Sequence, residues 1–348
     1  MESTIGVGSI FSFTLTFDLA DTADISSMET TADSMEKPNF AGEVLVCEDN
    51  SLNQQVICEH LKKVGLKTVV AQNGREGVDL VAERVKKGEK PFDIIFMDIH
   101  MPEMDGLEAS SLIVSMAIAT PIIATTANIM SNDLELYRAS GMYDCLGKPF
   151  TSQELWKCLM KYLPVISFST TDQHYSAEKE QFQEKLKEIF VKTNQTTYDD
   201  ILKAVDNNDI RLAHRLAHTL KSNAGQIGEK LLQEAAAAVE ALLANEKKAV
   251  DEDILRPLKT ELESVLHKLE PLLMKTDSEI IEPITDTKKI HELIENLEPL
   301  LQSNNAECLA MLDDIRAIPG AKELAKQIDD FNFKQAREEL TKIKKEWL

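Results

Sequence analysis

The sequence lacks any run of about 18 apolar residues, and it lacks the basic, apolar, small-residue order of an export leader. Nothing in it is expected to span or contact a membrane, and a cytoplasmic location is expected. Cysteine is sparse: five residues, an odd number with no C-x-x-C pair, give neither a disulfide framework nor a zinc spacing and read as reduced thiols. Positive charge is scarce too. With 38 Lys and Arg against 59 Asp and Glu, the formal charge of −21 argues against a nucleic-acid surface, which needs clustered cations. What the chain does have is length: 348 residues are enough for two or three domains, each with its own core.

The chain is organised around Phe92 to Gly106, FDIIFMDIHMPEMDG. Ile94, Ile95, Phe96 and Met97 read as a buried parallel strand between Pro91 and the breakers Pro102 and Gly106. Asp98 stands where that strand stops. Carboxyl ends of strands in an open α/β sheet face the binding crevice, so an acid there is offered to a ligand. Alone it would read as a helix N-cap. Two other apolar runs end on charge as well, one at Glu48-Asp49 and one at Lys148-Pro149.

From Glu43 the pattern alternates short strands with amphipathic helices: EVLVC, KTVVA, FDIIFM, TPIIATT and YDCL, each followed by a helical stretch. Five βα units predict a doubly wound parallel sheet with right-handed crossovers and strand order 2-1-3-4-5. That order sets the first and third strands side by side and Glu48-Asp49 next to Asp98. Two unit charges about 4 Å apart repel by about 4 kcal/mol at an effective dielectric near 20, so three carboxylates sharing a pocket require a divalent cation. Mg²⁺ suits oxygen ligands in octahedral geometry.

Glu48-Asp49, MDIHMPEMDG, Thr126 and Lys148-Pro149 resemble the receiver domain of two-component phosphorelays, over residues 42–164. The resemblance implies a (βα)5 flavodoxin-like fold with Asp98 as phosphoacceptor. It implies Mg²⁺ bound by Glu48, Asp49, Asp98 and the backbone carbonyl of His100. Lys148 would steady the phosphoryl oxygens beyond a cis Lys148-Pro149 bond, and Thr126 would be the switch hydroxyl, with Thr125 pointing to the opposite face. Cys145 departs from the aromatic usual three residues before the lysine, and Tyr143 is the candidate to compensate. His100, at the rim, is either a tuner of phosphoryl lifetime or a plain rim residue.

Residues 178–275 read as helices throughout, with turns at Asn207-Asn208 and Ala244-Asn245, and predict a four-helix-type bundle. Within it, HRLAHTLKSNAGQIG sets Lys221, Ser222 and Gly225 on the helix face of His218. Leu216, Leu220, Ala224 and Ile227 take the packing face. AHTLKSNAGQIG resembles the histidine phosphotransfer (HPt) domain, which implies His218 as a second phosphoacceptor with Lys221 as its electrostatic support. Ser222 stands where glycine is common, and His214 is assigned to structure. An unprotonated imidazole is the nucleophile for such transfer.

The rest is connection and remainder. Residues 1–19 alternate apolar positions from Phe11 to Phe17, and ESTIGVGSIFSFTLTF resembles the closing strand of a sensor histidine kinase ATPase domain. Its nucleotide-binding boxes are absent, so the expectation is the C-terminal part of a hybrid histidine kinase. Residues 20–41, 165–177 and 276–287 read as linkers, the first too polar to bury surface. Residues 288–348 predict a further small helical domain of three helices, broken near Pro319-Gly320 and Asp329 to Asn332, and they repeat the LEPLL of the bundle. A structural or partner-binding role is expected for them. The expected partners are a kinase core as donor and the receiver of a separate response regulator as acceptor. A phosphorylation-controlled interaction module, with His218 inactive, and a phosphate sink are the alternatives.

Overall fold

The computed structural model describes residues 2–4, 8–10, 36–126, 131–169, 175–244, 252–272, 284 and 286–347. Its first unit is an antiparallel ribbon of β1 (Glu2–Thr4) and β2 (Gly8–Ile10), with Glu2 opposite Ile10. The strand expected from Phe11 to Phe17 lies outside the described residues.

In the second unit, two of the three stretches read as linkers each supply a strand. β3 (Lys37–Asn39) pairs antiparallel with β9 (Ser167–Ser169), and the Asn39 amide donates to the hydroxyls of Ser167 and Ser169 at 3.3 and 3.2 Å. These strands are three residues long and largely polar, so no hydrophobic period marks them. They tie the two ends of the sheet domain together.

Between them the alternation holds. β4 (Glu43–Cys47), β5 (Lys67–Ala71), β6 (Ile94–Asp98), β7 (Ile122–Thr126) and β8 (Asp144–Gly147) form one parallel sheet in the order β5-β4-β6-β7-β8, the predicted 2-1-3-4-5. The connecting helices are α1 (Ser51–Lys63), α2 (Gly74–Lys87), α3 (Gly106–Ser115), α4 (Ser131–Ala139) and α5 (Ser152–Tyr162). Side-chain caps set where four of them begin. Asn50, Asn73, Asp105 and Thr151 accept from the backbone of Leu52, Glu76, Glu108 and Glu154, each cap contributing about 1 kcal/mol. Val44 through Cys47 and Ile94 through Met97 are fully covered, as parallel strands flanked by helices on both faces must be.

The bundle follows as α6 (Tyr175–Asn194), α7 (Thr197–Asp206), α8 (Ile210–Gln226), α9 (Lys230–Ala244) and α10 (Glu252–Leu269). Asn208 makes the expected turn with φ +57°. Leu220, Ala224 and Ile227 are buried in its core, which also takes in Leu52 and Val56 from α1 of the sheet domain. The two domains therefore share apolar packing.

The C-terminal residues form α11 (Thr287–Gln302), a 3₁₀ turn (Ala306–Met311), α12 (Leu312–Arg316), α13 (Lys322–Asp329) and α14 (Phe333–Trp347). The breaks at Gly320 and at Asp330 to Asn332 fall where expected. The first segment is split as well: Asn304 takes φ +51°, a conformation asparagine tolerates, and no proline or glycine announces that turn.

Candidate functional site

Register explains the first cluster. β4 and β6 are neighbours with Cys47 opposite Met97, so Glu48 and Asp49, just past one strand, meet Asp98 at the end of the other. Oxygens of Glu48, Asp49 and Asp98 lie within 4.8 Å of one another. Glu48 and Asp98 are buried, and Asp49 is half-buried. The loop after Asp98 folds tightly back, Gly106 N donating to the Ile99 carbonyl at 3.0 Å. A Cβ at Gly106 would stand 2.1 Å from the Asp98 carbonyl oxygen, so only glycine fits there.

Lys148 closes the cluster. Its backbone N–H donates to the Thr126 carbonyl at 2.6 Å, the following peptide bond to Pro149 is cis, and its ammonium lies 2.5 Å from Glu48 and 2.9 Å from Asp98. Glu48 is held further by the Asn50 backbone and the Asn53 amide. Burial lifts the Glu48 carboxyl, Lys148 counteracting and the neighbouring acids adding to the rise. Burial and then Asp98 lift Asp49 to about 6 against the pull of Lys148 and Arg215. Burial disfavours the Lys148 ammonium, but Asp98 and Glu48 outweigh it and raise its pKa. Three carboxylates, two of them buried and one half-buried, offer only oxygen donors and make a set that fits a hard divalent cation.

The second cluster lies on α8. His218 Nδ1 is 2.5 Å from Glu240 Oε1, and Lys221 Nζ is 2.6 Å from Glu240 Oε2. Burial works against the Glu240 carboxylate, but the bonds from His218 and Lys221 prevail and hold it down at about 2. A carboxylate can only accept, so Nδ1 carries a hydrogen, and in the neutral ring the lone pair then lies on Nε2. Of the small residues expected on this face, Ser222 Oγ meets Asn53 Oδ1 of α1 at 3.3 Å.

The structure brings the two clusters together. The rings of His100 and His218 stand edge to face with centroids 5.5 Å apart, and His214 stacks on His218 at 6.5 Å. Arg215 reaches Asp49 at 3.3 Å. The Asn50 side chain caps α1 with its oxygen and donates through its amide to Asn223 Oδ1 at 2.5 Å. Gln226 lines one cavity with Glu48, Thr125 and Lys148. Burial, and then His218, hold His100 below the usual imidazole range, and burial does the same for His214.

Thr125 and Thr126 are both buried and face differently. Thr125 lines the Lys148 cavity, whereas the Thr126 hydroxyl accepts from Tyr137 at 3.4 Å. Tyr143 is 63% exposed and Cys145 half-buried, so the aromatic that touches Thr126 is Tyr137, not Tyr143. Sequence reasoning missed three residues here. Arg215 was inside a motif already singled out, Tyr137 sits eleven residues past Thr126, and Glu240 is an acid in an alanine-rich helix.

Residues 44–160 match the response regulator receiver domain family, and residues 185–270 match the Hpt domain family. Among curated relatives, transcription factor SKN7 of Candida albicans is 38% identical over 138 residues, covering 40% of this chain and 23% of SKN7. The signal transduction histidine-protein kinase BarA of Escherichia coli is 34% identical over 131 residues, 37% of this chain and 14% of BarA. The chain thus spans less than a quarter of the length of either relative. A solved receiver domain of a sensor histidine kinase from Pseudomonas aeruginosa, with magnesium in its active site cleft, is 32% identical. It covers 35% of this chain and 97% of that one, with a TM-score of 0.30. No described helix is long and apolar enough to cross a membrane.

Proposed function

We propose, for a chain that carries a receiver domain and an Hpt domain and so belongs to two-component phosphorelay signalling, that a phosphoryl group passes between Asp98 and His218 of the same molecule. One observation carries this reading: the His218 ring, fixed through Nδ1 by Glu240, faces His100, two residues past Asp98. Asp98 is the phosphoacceptor of the receiver, His218 that of the Hpt domain, and the parent protein is a hybrid histidine kinase. Its kinase core is the donor and a separate response regulator the final acceptor.

In the first step an Asp98 oxygen attacks phosphorus, an O–P bond forming as the donor imidazole's N–P bond breaks and its electron pair returns to nitrogen. In the second, His218 Nε2 attacks, an N–P bond forms, and the O–P electron pair returns to the Asp98 carboxylate. No proton has to leave Nε2, because the hydrogen of that ring is already on Nδ1. The phosphorylated ring is more positive, and the Glu240 carboxylate stabilises it. Lys148 leaves its carboxylate partners in part to hold the phosphoryl oxygens, and Thr126 follows them. Asp49, Asp98 and the His100 carbonyl, with Glu48 beside them, would hold a magnesium ion, which would supply the remaining neutralisation of charge. Catalysis is then positioning plus electrostatics.

Incubation of the full chain with acetyl phosphate and Mg²⁺ tests this. The expected product is a base-labile acyl phosphate on Asp98 followed by an acid-labile phosphoramidate on His218, the second lost in Asp98→Asn and the first retained in His218→Gln. Acyl phosphate without any phosphoramidate, even with a partner receiver present, would favour an interaction module. Net loss of phosphate through Asp98 after His218 is labelled would mark a phosphate sink.

A further inference from the structure

The α13–α14 hairpin repeats the turn of the α7–α8 hairpin that bears His218. In the bundle, α7 ends at Asp206, Asn208 turns at φ +57°, and α8 starts at Ile210. In the C-terminal unit, α13 ends at Asp329, Phe331 turns at φ +55°, and α14 starts at Phe333. The backbone bonds agree one by one. Asn208 N donates to Val205 O and Asp209 N to Ala204 O, as Phe331 N does to Ile328 O and Asn332 N to Gln327 O. Ala213 and Ala336, equivalent in this register, are both fully buried, and Leu220 and Ile343, about two turns further along, are buried too. In the same register Lys344 matches Lys221, but Thr341 stands where His218 does, so the second hairpin has no imidazole to phosphorylate.

Its turn is used differently. Asp209 caps its own helix by accepting from Leu212 N at 3.0 Å. The matching Asn332 instead accepts from Gln72 of the receiver at 2.9 Å, and Gln72 also donates to the Phe331 carbonyl at 2.9 Å. Nearby, Asn304 reaches the outer edge of the sheet. Val70 N donates to Asn304 O at 3.0 Å, and the Asn304 amide donates to Val70 O and to Glu76. Val69 and Asn305 form an antiparallel bridge. β5 is the edge strand, whose open groups would otherwise be left to water or to another chain. The same unit touches the bundle: Asp329 lies 3.4 Å from Lys185 of α6, while its carbonyl accepts from Gln55 of α1.

We propose that residues 287–347, whose α13–α14 hairpin repeats the turn of the phosphotransfer hairpin without its histidine, act as a clamp that covers the β5 edge and holds the Hpt bundle against its own receiver. This is a claim about docking and stands whether or not His218 carries phosphorus.

Hydrogen exchange on the full chain tests it without phosphoryl chemistry. Asn304→Gly keeps the left-handed backbone but removes the side-chain bonds, and Gln72→Ala loosens the turn from the receiver side. Both variants should exchange the Val70 amide at least about tenfold faster, and both should quicken residues 50–56 and 215–226, where receiver and bundle meet. The Ile95 amide, in the sheet interior, should stay as slow as in the parent chain, which separates undocking from unfolding. Unchanged exchange at Val70 would overturn the edge contact. Faster exchange at Val70 with residues 50–56 and 215–226 unchanged would reduce the unit to a cap and overturn the clamp.

Discussion

The two centres that face each other are built in opposite ways. The receiver's carboxylates come from two neighbouring strand ends, with Lys148 brought in by a third, and they share a buried pocket with that one ammonium. His218 needs a single helix face, one acid from the next helix and one half-buried lysine. The lesson is that charge has been concentrated where the fold can enclose it, and left near the surface where a partner domain must reach it.

That contrast is tested most severely by removing each lysine. Lys148→Met strands Glu48 and Asp98 in the interior without their cation. It should destabilise the chain by about 3–5 kcal/mol in urea unfolding, with millimolar Mg²⁺ restoring part of the loss. Lys221→Met should cost under about 1 kcal/mol, because its partner Glu240 keeps His218 and water. Equal losses would show that burial does not separate the two sites.

Histidines sharpen the comparison next. His60, on α1, is half-buried beside Phe150 with Ser152 at 3.1 Å, and its partial burial pushes it down to about 4. A histidine kept neutral in the fold and free to protonate in the unfolded chain makes stability rise with pH between about 4 and 6.5. The whole effect is roughly 3 kcal/mol, absent above the unfolded pKa and complete below the folded one. His60→Gln should flatten that acid arm of the pH–stability curve.

Glu240→Gln keeps the hydrogen bond to His218 and removes its charge. A charge-assisted bond outweighs a neutral one by on the order of 1 kcal/mol, so transfer to His218 should slow by roughly fivefold. Labelling of Asp98 by acetyl phosphate should not change, which separates an effect on His218 from one on the receiver. The smallest effect is expected from Arg215→Ala. Its ion pair with Asp49 is partly exposed and worth about 0.5–1 kcal/mol, read as a several-fold loss in docking that disappears at high salt.

How much of this could be read in the sequence follows from period and proximity. The sheet order was legible because five β-branched runs alternate with helices, and the acid cluster because strand order alone sets Glu48-Asp49 beside Asp98. His218 and Lys221 were legible because helix geometry relates residues three apart. Glu240 was not: it meets His218 only through the packing of α9 on α8, which no local spacing encodes. The strands Lys37–Asn39 and Ser167–Ser169 were hidden by their polarity, and the turn at Asn304 by an asparagine doing what glycine usually signals. The contacts of residues 287–347 with the β5 edge depend on distant side chains and left no mark in composition.

The most direct test of exchange within one molecule is a single-turnover chase from Asp98 to His218, run over a wide range of chain concentrations. The account predicts a first-order rate independent of concentration, and an equimolar mixture of Asp98→Asn and His218→Gln chains that transfers far more slowly than the intact chain. A rate that rises in proportion to concentration, with the mixture as fast as the intact chain, would contradict it.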